Sequence, residues 1–341
     1  MSDPQLKIVF FADTHLGFDY PIRPKINIRR RGEDFFNNYH KILQYAEKTK
    51  PDFLVHGGDF FFRSKVSQPI VDLSYQPLFD FVNKTNIPIY IVPGNHERSS
   101  LPQSIYLAHP SINIFNRARS FVFEKNDFNV SLYGFPFFRG DIRGEFKNLI
   151  LQSGWNDSEA SMRLIVVHQA IDGAQVGPGN YTFRNREDVI DINDIPGNAT
   201  AILSGHIHRR QVLYSGKVPV IYPGSIERTS FAEKDESKGF YELTFRNDGN
   251  IWFLDKLKFL KLPARPMTDI YLDADTELSR LQKRLIQDCA GLPENSIVRI
   301  RTKNKHSPEA LKLSAAQIRD LLPSEFSIQF GREFFTEVEN H

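Results

Sequence analysis

The chain of 341 residues contains a single cysteine, Cys289, which excludes a structural zinc held by several thiolates. No apolar run approaches the length needed to cross a bilayer. The apolar stretch nearest the amino terminus, Ile8 to Ala12, is too short for a secretory leader and is preceded by Asp3. A cytoplasmic location without membrane attachment is therefore expected, and the Asn-x-Ser/Thr triplets at Asn129, Asn156, Asn180 and Asn198 read as chance. Internal repeats and low-complexity tracts are lacking too. Charge of one sign is scarce: 43 Lys and Arg against 41 Asp and Glu leave a net charge of +2, so contact with a polyanion would rest on local clusters. What remains, 40% hydrophobic and 25% charged residues, is ordinary for a soluble globular protein, and the length points to two domains.

Metal-capable side chains, by contrast, recur in short blocks in a fixed order: Asp13 and His15, Asp59, Asn95, His168, then His206 and His208. Each block follows an apolar run that reads as a buried strand: Lys7-Ile8-Val9-Phe10-Phe11, Phe53-Leu54-Val55, Ile87 to Val92, Leu164-Ile165-Val166-Val167 and Ala201-Ile202-Leu203. Residues at the carboxyl ends of strands in an open α/β sheet fall in the crevice where ligands bind, so separate loops are expected to converge on one site. Carboxylates, an amide oxygen and imidazoles without thiolate suit Mn²⁺, Fe²⁺ or Zn²⁺. Two such ions roughly 3.5 to 4 Å apart can clamp the attacking and leaving oxygens of an in-line displacement at phosphorus. A bridging ligand is then required, and Asp59, just after Gly57 and Gly58, is the candidate, the glycines letting the backbone approach closely.

Together, Asp13-x-His15, Gly58-Asp59, Gly94-Asn95-His96-Glu97, His168 and Gly205-His206-x-His208 resemble, in order, the pattern of the calcineurin-like metallophosphoesterases. The stretches Phe11 to Phe18 and Tyr222 to Phe231 resemble the SbcD-type DNA repair exonucleases, the nuclease partners of SMC-like ATPases. The resemblance implies an α/β fold: a four-layer αββα sandwich, two facing sheets covered outside by helices, with a small C-terminal α+β capping domain. It implies that Asp13, His15, Asp59 and His208 hold one divalent ion and Asp59, Asn95, His168 and His206 a second. The ions would be Mn²⁺, with Fe²⁺, Zn²⁺ or Mg²⁺ as alternatives. His96 would face the phosphate and assist the leaving oxygen, a role that its adjacency to a ligand and its pKa range also support. Glu97 would orient groups around the metals. DNA is the implied substrate, cleaved exonucleolytically and also endonucleolytically.

The implied partners are an SbcC-type ATPase and a second copy of the chain, with Phe79 and Phe81 read either as dimer contacts or as core. Many relatives continue beyond the capping unit into a segment that docks on the ATPase, whereas this sequence stops soon after it. One position departs from the pattern: Phe62, three residues after Asp59, stands where relatives commonly carry a polar residue. Arg63 next to it could replace the lost contact or face solvent.

Between the blocks, Glu33 to Lys50 has the spacing of a sheet-covering helix, and Ser67 to Lys84 that of a second helix broken or bent at Pro77. Strands are expected around 121–123, 130–133, 211–214, 218–221, 240–245 and 251–259. The proposed division places a nuclease domain at residues 1–262 and a capping domain at 267–341. The capping domain reads as strand 269–272, helix Glu277 to Ala290 capped by Gly291, strand 296–301, helix 314–322 and strand 326–330. In its first helix Leu278, Leu281, Leu285 and Ile286 form the apolar stripe with Cys289 as a structural thiol.

Basic clusters at Lys25 with Arg29, Arg30 and Arg31, at Arg184 and Arg186, at Arg209 and Arg210, and from Arg299 to Lys305 are candidates for phosphate contact. Arg29, Arg30, Arg31, Arg63, Arg209 and Arg228 are the specific DNA-binding candidates. His40, His56, His109, His306 and His341 read as structural or surface residues, His56 as a half-buried strand histidine. The competing readings are a phosphatase or phosphodiesterase on small molecules or proteins, and a non-catalytic subunit that binds DNA or an ATPase.

Overall fold

Along the first strand Leu6, Ile8 and Phe10 alternate with Val9 and Phe11, and both sets are fully buried, as a strand covered on both faces requires. This computed structural model describes residues 4–20, 31–125, 128–157, 159–272, 277–302 and 314–331. The chain runs β1 (Gln5–Phe11), α1 (Gly32–Thr49), β2 (Phe53–His56), α2 (Gln68–Thr85), β3 (Ile89–Ile91), β4 (Ile112–Ile114), β5 (Arg119–Lys125) and β6 (Phe128–Gly134). There follow α3 (Ile142–Gln152), β7 (Met162–Val167), the short β8 (Ala170–Ile171), β9 (Gln175–Val176), β10 (Tyr181–Thr182) and β11 (Val189–Ile190), and then β12 (Ala201–Ser204). The strands β13 (Gln211–Ser215), β14 (Val218–Tyr222), β15 (Gly239–Asn247) and β16 (Trp252–Lys261) come next. Last are β17 (Met267–Leu272), α4 (Leu278–Cys289), β18 (Ile297–Thr302), α5 (Ala315–Leu321) and β19 (Ser327–Phe330).

Two six-stranded sheets carry the larger unit, in the orders β16-β15-β1-β2-β3-β4 and β13-β14-β12-β7-β6-β5. In the first, β1 to β4 run parallel, with β15 and β16 added antiparallel. In the second, β14, β12, β7 and β6 run parallel between antiparallel edges β13 and β5. Leu6, Ile8, Phe10, Phe53 and Val55 of one sheet meet Val130, Leu132, Leu164, Val166 and Leu203 of the other in one apolar core. Outside the second sheet lies α3, through Ile142, Phe146 and Ile150. Outside the first, Tyr39 of α1 contacts Phe11 and Phe60, and Tyr75 of α2 contacts Phe60 and Phe61. The layers are helix, sheet, sheet, helix. No described helix is long and apolar enough to cross a membrane.

In α1, Phe35, Phe36, Tyr39, Ile42, Leu43 and Ala46 are buried at the helical spacing read from the sequence. Of the break or bend expected at Pro77, the break does not occur, for α2 runs through it as one helix. The carbonyl that Pro77 cannot serve belongs to Leu73, which is 41% exposed, so water can take the missing donor's place. Phe81 is buried core, not a dimer contact, and Phe79 is half-buried with its ring edge-on to His109.

The chain divides into two compact units, one of residues 4–18 and 34–263 and the other of residues 264–331 with 19–20 and 31–33. In the second unit β17, β18 and β19 pair in parallel with α4 and α5 between them, so strands and helices alternate instead of segregating as a strict α+β layout would have them. Its core joins Ile270, Leu272, Val298 and Ile300 of the strands to Leu281, Leu285 and Ile318 of the helices. The buried face of α4 is Leu281, Leu285 and Cys289, one residue per turn. Leu278 and Ile286 are exposed and do not belong to the expected stripe. Nor does Gly291 take the left-handed backbone of a capping glycine; the helix instead closes through Ala290 N–H to the Gln287 carbonyl. Cys289 is buried, and burial together with Asp288 pushes its thiol up to about 11, which keeps it unreactive.

Candidate metal centre

Asp13 and His15 follow β1, Asp59 follows β2, Asn95 and His96 follow β3, His168 follows β7, and His206 and His208 follow β12. All five strands deliver these residues at their carboxyl ends, from both sheets. Backbone bonds tie the loops together: Asp13 N–H donates to the Gly58 carbonyl at 2.9 Å and His15 N–H to the Asp59 carbonyl at 3.0 Å. Asp13, His15, Asp59 and His206 themselves hold left-handed backbone, with φ of 52°, 43°, 54° and 79°. For residues with a Cβ this costs about 1–2 kcal/mol each, a strain that clusters at functional sites. Glycine is needed where side chains crowd in: a Cβ on Gly58 would overlap the His168 ring, and one on Gly94 the Asp59 carboxylate.

Asp59 lies at the middle, with Oδ2 3.4 Å from His168 Nε2, 3.8 Å from His96 Nε2 and 3.9 Å from His15 Nε2. Its Oδ1 accepts the His96 N–H at 2.9 Å. On one side His15 and His208 bring their Nε2 atoms within 3.0 Å of each other, with Asp13 Oδ1 3.8 Å from His208 Nε2. On the other, Asn95 Oδ1 stands 3.1 Å from His168 Nε2 and 2.9 Å from His206 Nδ1. Asp13, His15 and His208 form one group able to hold an ion, Asp13, Asp59 and His168 another, and His15, Asp59 and His96 a third.

The donor chemistry fits cations. His168 Nδ1 lies 2.7 Å from the Gly57 carbonyl, which can only accept, so Nδ1 carries the proton and a neutral ring turns its Nε2 lone pair inward. His208 is held the same way, its Nδ1 donating to Glu233 Oε1 at 3.2 Å. Asp13 Oδ2 is buried without a hydrogen-bond partner, a costly state for a polar atom unless an ion or a proton is shared there. Burial, reinforced by Asp59, pushes the Asp13 carboxyl up to about 6. Burial also works against charge on His168, but Asp59 and Asp13 outweigh it and hold the imidazole at about 9. Burial and the neighbouring His168 press His206 down to about 3. The protein therefore keeps a proton in the cluster near neutral pH, which a divalent cation would displace. At about 100 times its Kd, Mn²⁺ is expected to stabilise the fold by about 2.7 kcal/mol over the chelated protein. Thermal unfolding with metal and with chelator checks this; no change in midpoint with Mn²⁺, Fe²⁺ or Zn²⁺ would refute a cation site here.

Glu97 is buried and each of its carboxylate oxygens has a backbone donor: Phe61 N–H at 2.6 Å and Gly94 N–H at 2.7 Å. It thus fastens the loop bearing Asp59 to the loop bearing Asn95. His96 Nδ1 donates to the Phe62 carbonyl at 2.7 Å, which leaves Nε2 facing the crevice, and the ring is 34% exposed where His15 and His168 are fully buried. Phe62 is half-buried, packed edge-on against Phe18, with the Arg63 guanidinium 5.5 Å from its ring centre. His56 is fully buried, not half-buried: Gly58 N–H donates to its Nδ1 and the Thr14 hydroxyl meets its Nε2.

Of the expected DNA contacts, Arg29 and Arg30 lie outside the described residues, as does Lys25. Arg31 is buried, which removes it from the surface where phosphate would bind. Arg209 is committed within the fold, to Glu236 at 3.0 Å, Asn180 at 2.7 Å and the Gly177 carbonyl at 2.6 Å. Arg228 donates to the Glu236 carbonyl at 2.9 Å. Arg63 is exposed, in contact with the Phe62 ring. Sequence reasoning passed over Arg139, exposed and donating to the Asn95 carbonyl at 2.9 Å, and the buried pair Glu233 and Lys238. Neither had a periodicity or motif to mark it; the contacts that tie them to the site, Arg139 to Asn95 and Glu233 and Lys238 to His208, are distant in the chain.

The calcineurin-like phosphoesterase family matches residues 6–210, more than half of the chain. A DNA double-strand break repair protein Mre11 from Archaeoglobus fulgidus is 24% identical over 98% of this chain and 76% of its own length. The Mre11 protein of Methanococcus maripaludis is 23% identical over 74% of this chain, which spans 66% of that relative. Among solved structures, a dimetal phosphatase from Danio rerio aligns with a TM-score of 0.46 at 10% identity, over 76% of this chain and all but 1% of the other, 99% being covered. The family's match runs from β1 to the loop after β12, the stretch that supplies every side chain gathered around Asp59, and the chain belongs to the calcineurin-like phosphoesterases.

Proposed function

We propose that the protein is a metal-dependent nuclease that hydrolyses DNA phosphodiester bonds in repair or DNA-end processing. The observation that carries this reading is the convergence of two sets of inward lone pairs on the shared carboxylate of Asp59. Relatives named as DNA double-strand break repair proteins support DNA as the substrate. Asp13, His15, Asp59 and His208 would hold one cation, and Asp59, Asn95, His168 and His206 the other, with Mn²⁺ the preferred ion. When bound, such cations supply positive charge against the phosphate and leaving oxygens of an in-line displacement.

The chain's own residues do the rest. His96 presents Nε2 to the crevice with its ring fixed by the Phe62 carbonyl, so it can give a proton to the departing oxygen. Glu97 keeps the two loops in register. Arg63, exposed against the Phe62 ring, and Arg139, exposed and bonded to the Asn95 carbonyl, would meet backbone phosphates. The second unit is proposed to cap bound DNA, with an SbcC-type ATPase and a second copy of the chain as protein partners.

Purified protein with Mn²⁺ is expected to degrade linear DNA, single- or double-stranded, and chelator to stop it. Turnover of nucleotides or phosphoproteins with DNA left intact would favour the phosphatase reading. Two bound ions with no hydrolysis of either substrate, alone or with the ATPase, would favour a binding subunit.

A further inference from the structure

Behind His208 lies a buried polar cluster of which the metal-site reading uses only the contact from His208 to Glu233. Glu233 Oε1 accepts His208 Nδ1–H at 3.2 Å and the Thr229 hydroxyl at 2.7 Å. Its Oε2 accepts Lys238 Nζ at 2.6 Å. Lys238 is 1% exposed, and its ammonium also donates to the backbone carbonyl of His208 at 3.0 Å and to Glu236 Oε2 at 3.2 Å. One lysine therefore holds both the main chain of His208 and the carboxylate that steers its ring.

Burying such an ion pair is a poor way to gain stability, because desolvation offsets most of the attraction and apolar residues would serve as well. Its geometry does something apolar residues cannot. A carboxylate accepting Nδ1–H fixes the tautomer, aims Nε2 at the centre and makes the imidazole a stronger electron donor. The opposite side is built differently: His168 Nδ1 faces a neutral carbonyl, that of Gly57, and Asn95 contributes an uncharged oxygen. The two cation positions are thus unequal in their support.

We infer that Glu233, locked by Lys238, is a positioning residue that acts through His208 to set the affinity of one of the two cation positions and not the other. This rests on the metal-site reading and is independent of DNA as the substrate.

The test is a titration of the metal-free full chain with Co²⁺, followed by its visible ligand-field bands, beside calorimetry with Mn²⁺. Wild type should take up two ions. Glu233→Gln keeps an acceptor for Nδ1 but loses the charge, and it should weaken one step by about 10 to 100-fold with the other step unmoved. In a His208→Ala background the same change should have no further effect on metal uptake, since its path has been removed. A merely structural role would lower the unfolding midpoint while shifting both steps together or neither. If Glu233→Gln folds poorly, Glu233→Gln with Lys238→Met removes both charges at once and must show the same one-step loss. Two steps that respond equally, or effects that add to those of His208→Ala, overturn the inference. Selective weakening in a protein that leaves DNA intact would sink the nuclease reading and uphold this one; wild type that takes up no cation sinks both.

Discussion

Asp59→Asn is expected to reduce DNA cleavage by more than about a thousand-fold, a loss of about 4 kcal/mol in transition-state stabilisation. Asparagine keeps the size and the oxygen that accepts His96 N–H, so the loops should stay in place while the charge proposed to serve both cation positions disappears. Three imidazoles approach within 3.4 to 3.9 Å of the other oxygen, and the carboxylate of Asp13, grouped with His15 and His208 and also with Asp59 and His168, is its acidic neighbour. Metal content should fall with activity, from two ions to one or fewer. Single-turnover kinetics and metal analysis on the same preparation, with circular dichroism to confirm folding, decide the matter. A variant that retained more than roughly a tenth of wild-type cleavage, about 1.4 kcal/mol of loss, would remove Asp59 from its central place.

His96→Ala should behave differently. A positioned proton donor contributes about 10² to 10⁴-fold, so cleavage should drop by that factor with both ions still bound and DNA affinity unchanged. The ring lies close enough to Asp59 and His15 to be counted as a ligand by distance alone. Metal content separates the two roles: a fall in bound metal would make His96 a ligand, and unchanged cleavage would strip it of any part in the chemistry. A substrate whose leaving group needs no proton, such as a nitrophenyl phosphodiester, should lose much less activity than DNA.

Much of this site was legible because its chemistry sits at strand ends. Lys7 to Phe11, Phe53 to Val55 and Leu164 to Val167 read as buried strands and are strands, and the polar residues that follow them meet. What the sequence hid was the fate of polar side chains whose partners are far away. Nothing local distinguishes Arg209, consumed by Glu236, Asn180 and Gly177, from Arg63, which stands free of the interior. Glu233 and Lys238 carry no local signal of burial and drew no reading, yet the fold buries both beside one imidazole. At Pro77 local rules allow a break or a bend, and packing of Tyr75, Leu78 and Phe81 keeps α2 from breaking, an exposed turn making the lost hydrogen bond tolerable. In α4 the apolar spacing was right and its width was not, since a three-stranded sheet covers too little of the helix to bury Leu278 or Ile286.

Division of the seven candidate ligands between two sheets has a mechanical outcome. Asp13, His15, Asp59 and Asn95 ride on one sheet, His168, His206 and His208 on the other, and a greasy interlayer of leucine, isoleucine, valine and phenylalanine lies beneath them. The crevice works as a pair of calipers with its jaws on separate plates. A repacking of that interlayer that slid the plates by about 1 Å would leave every rung within each sheet intact and could still slow the reaction about a hundred-fold. Heat or a cavity far from the ions would then silence the enzyme while its spectrum still looked native.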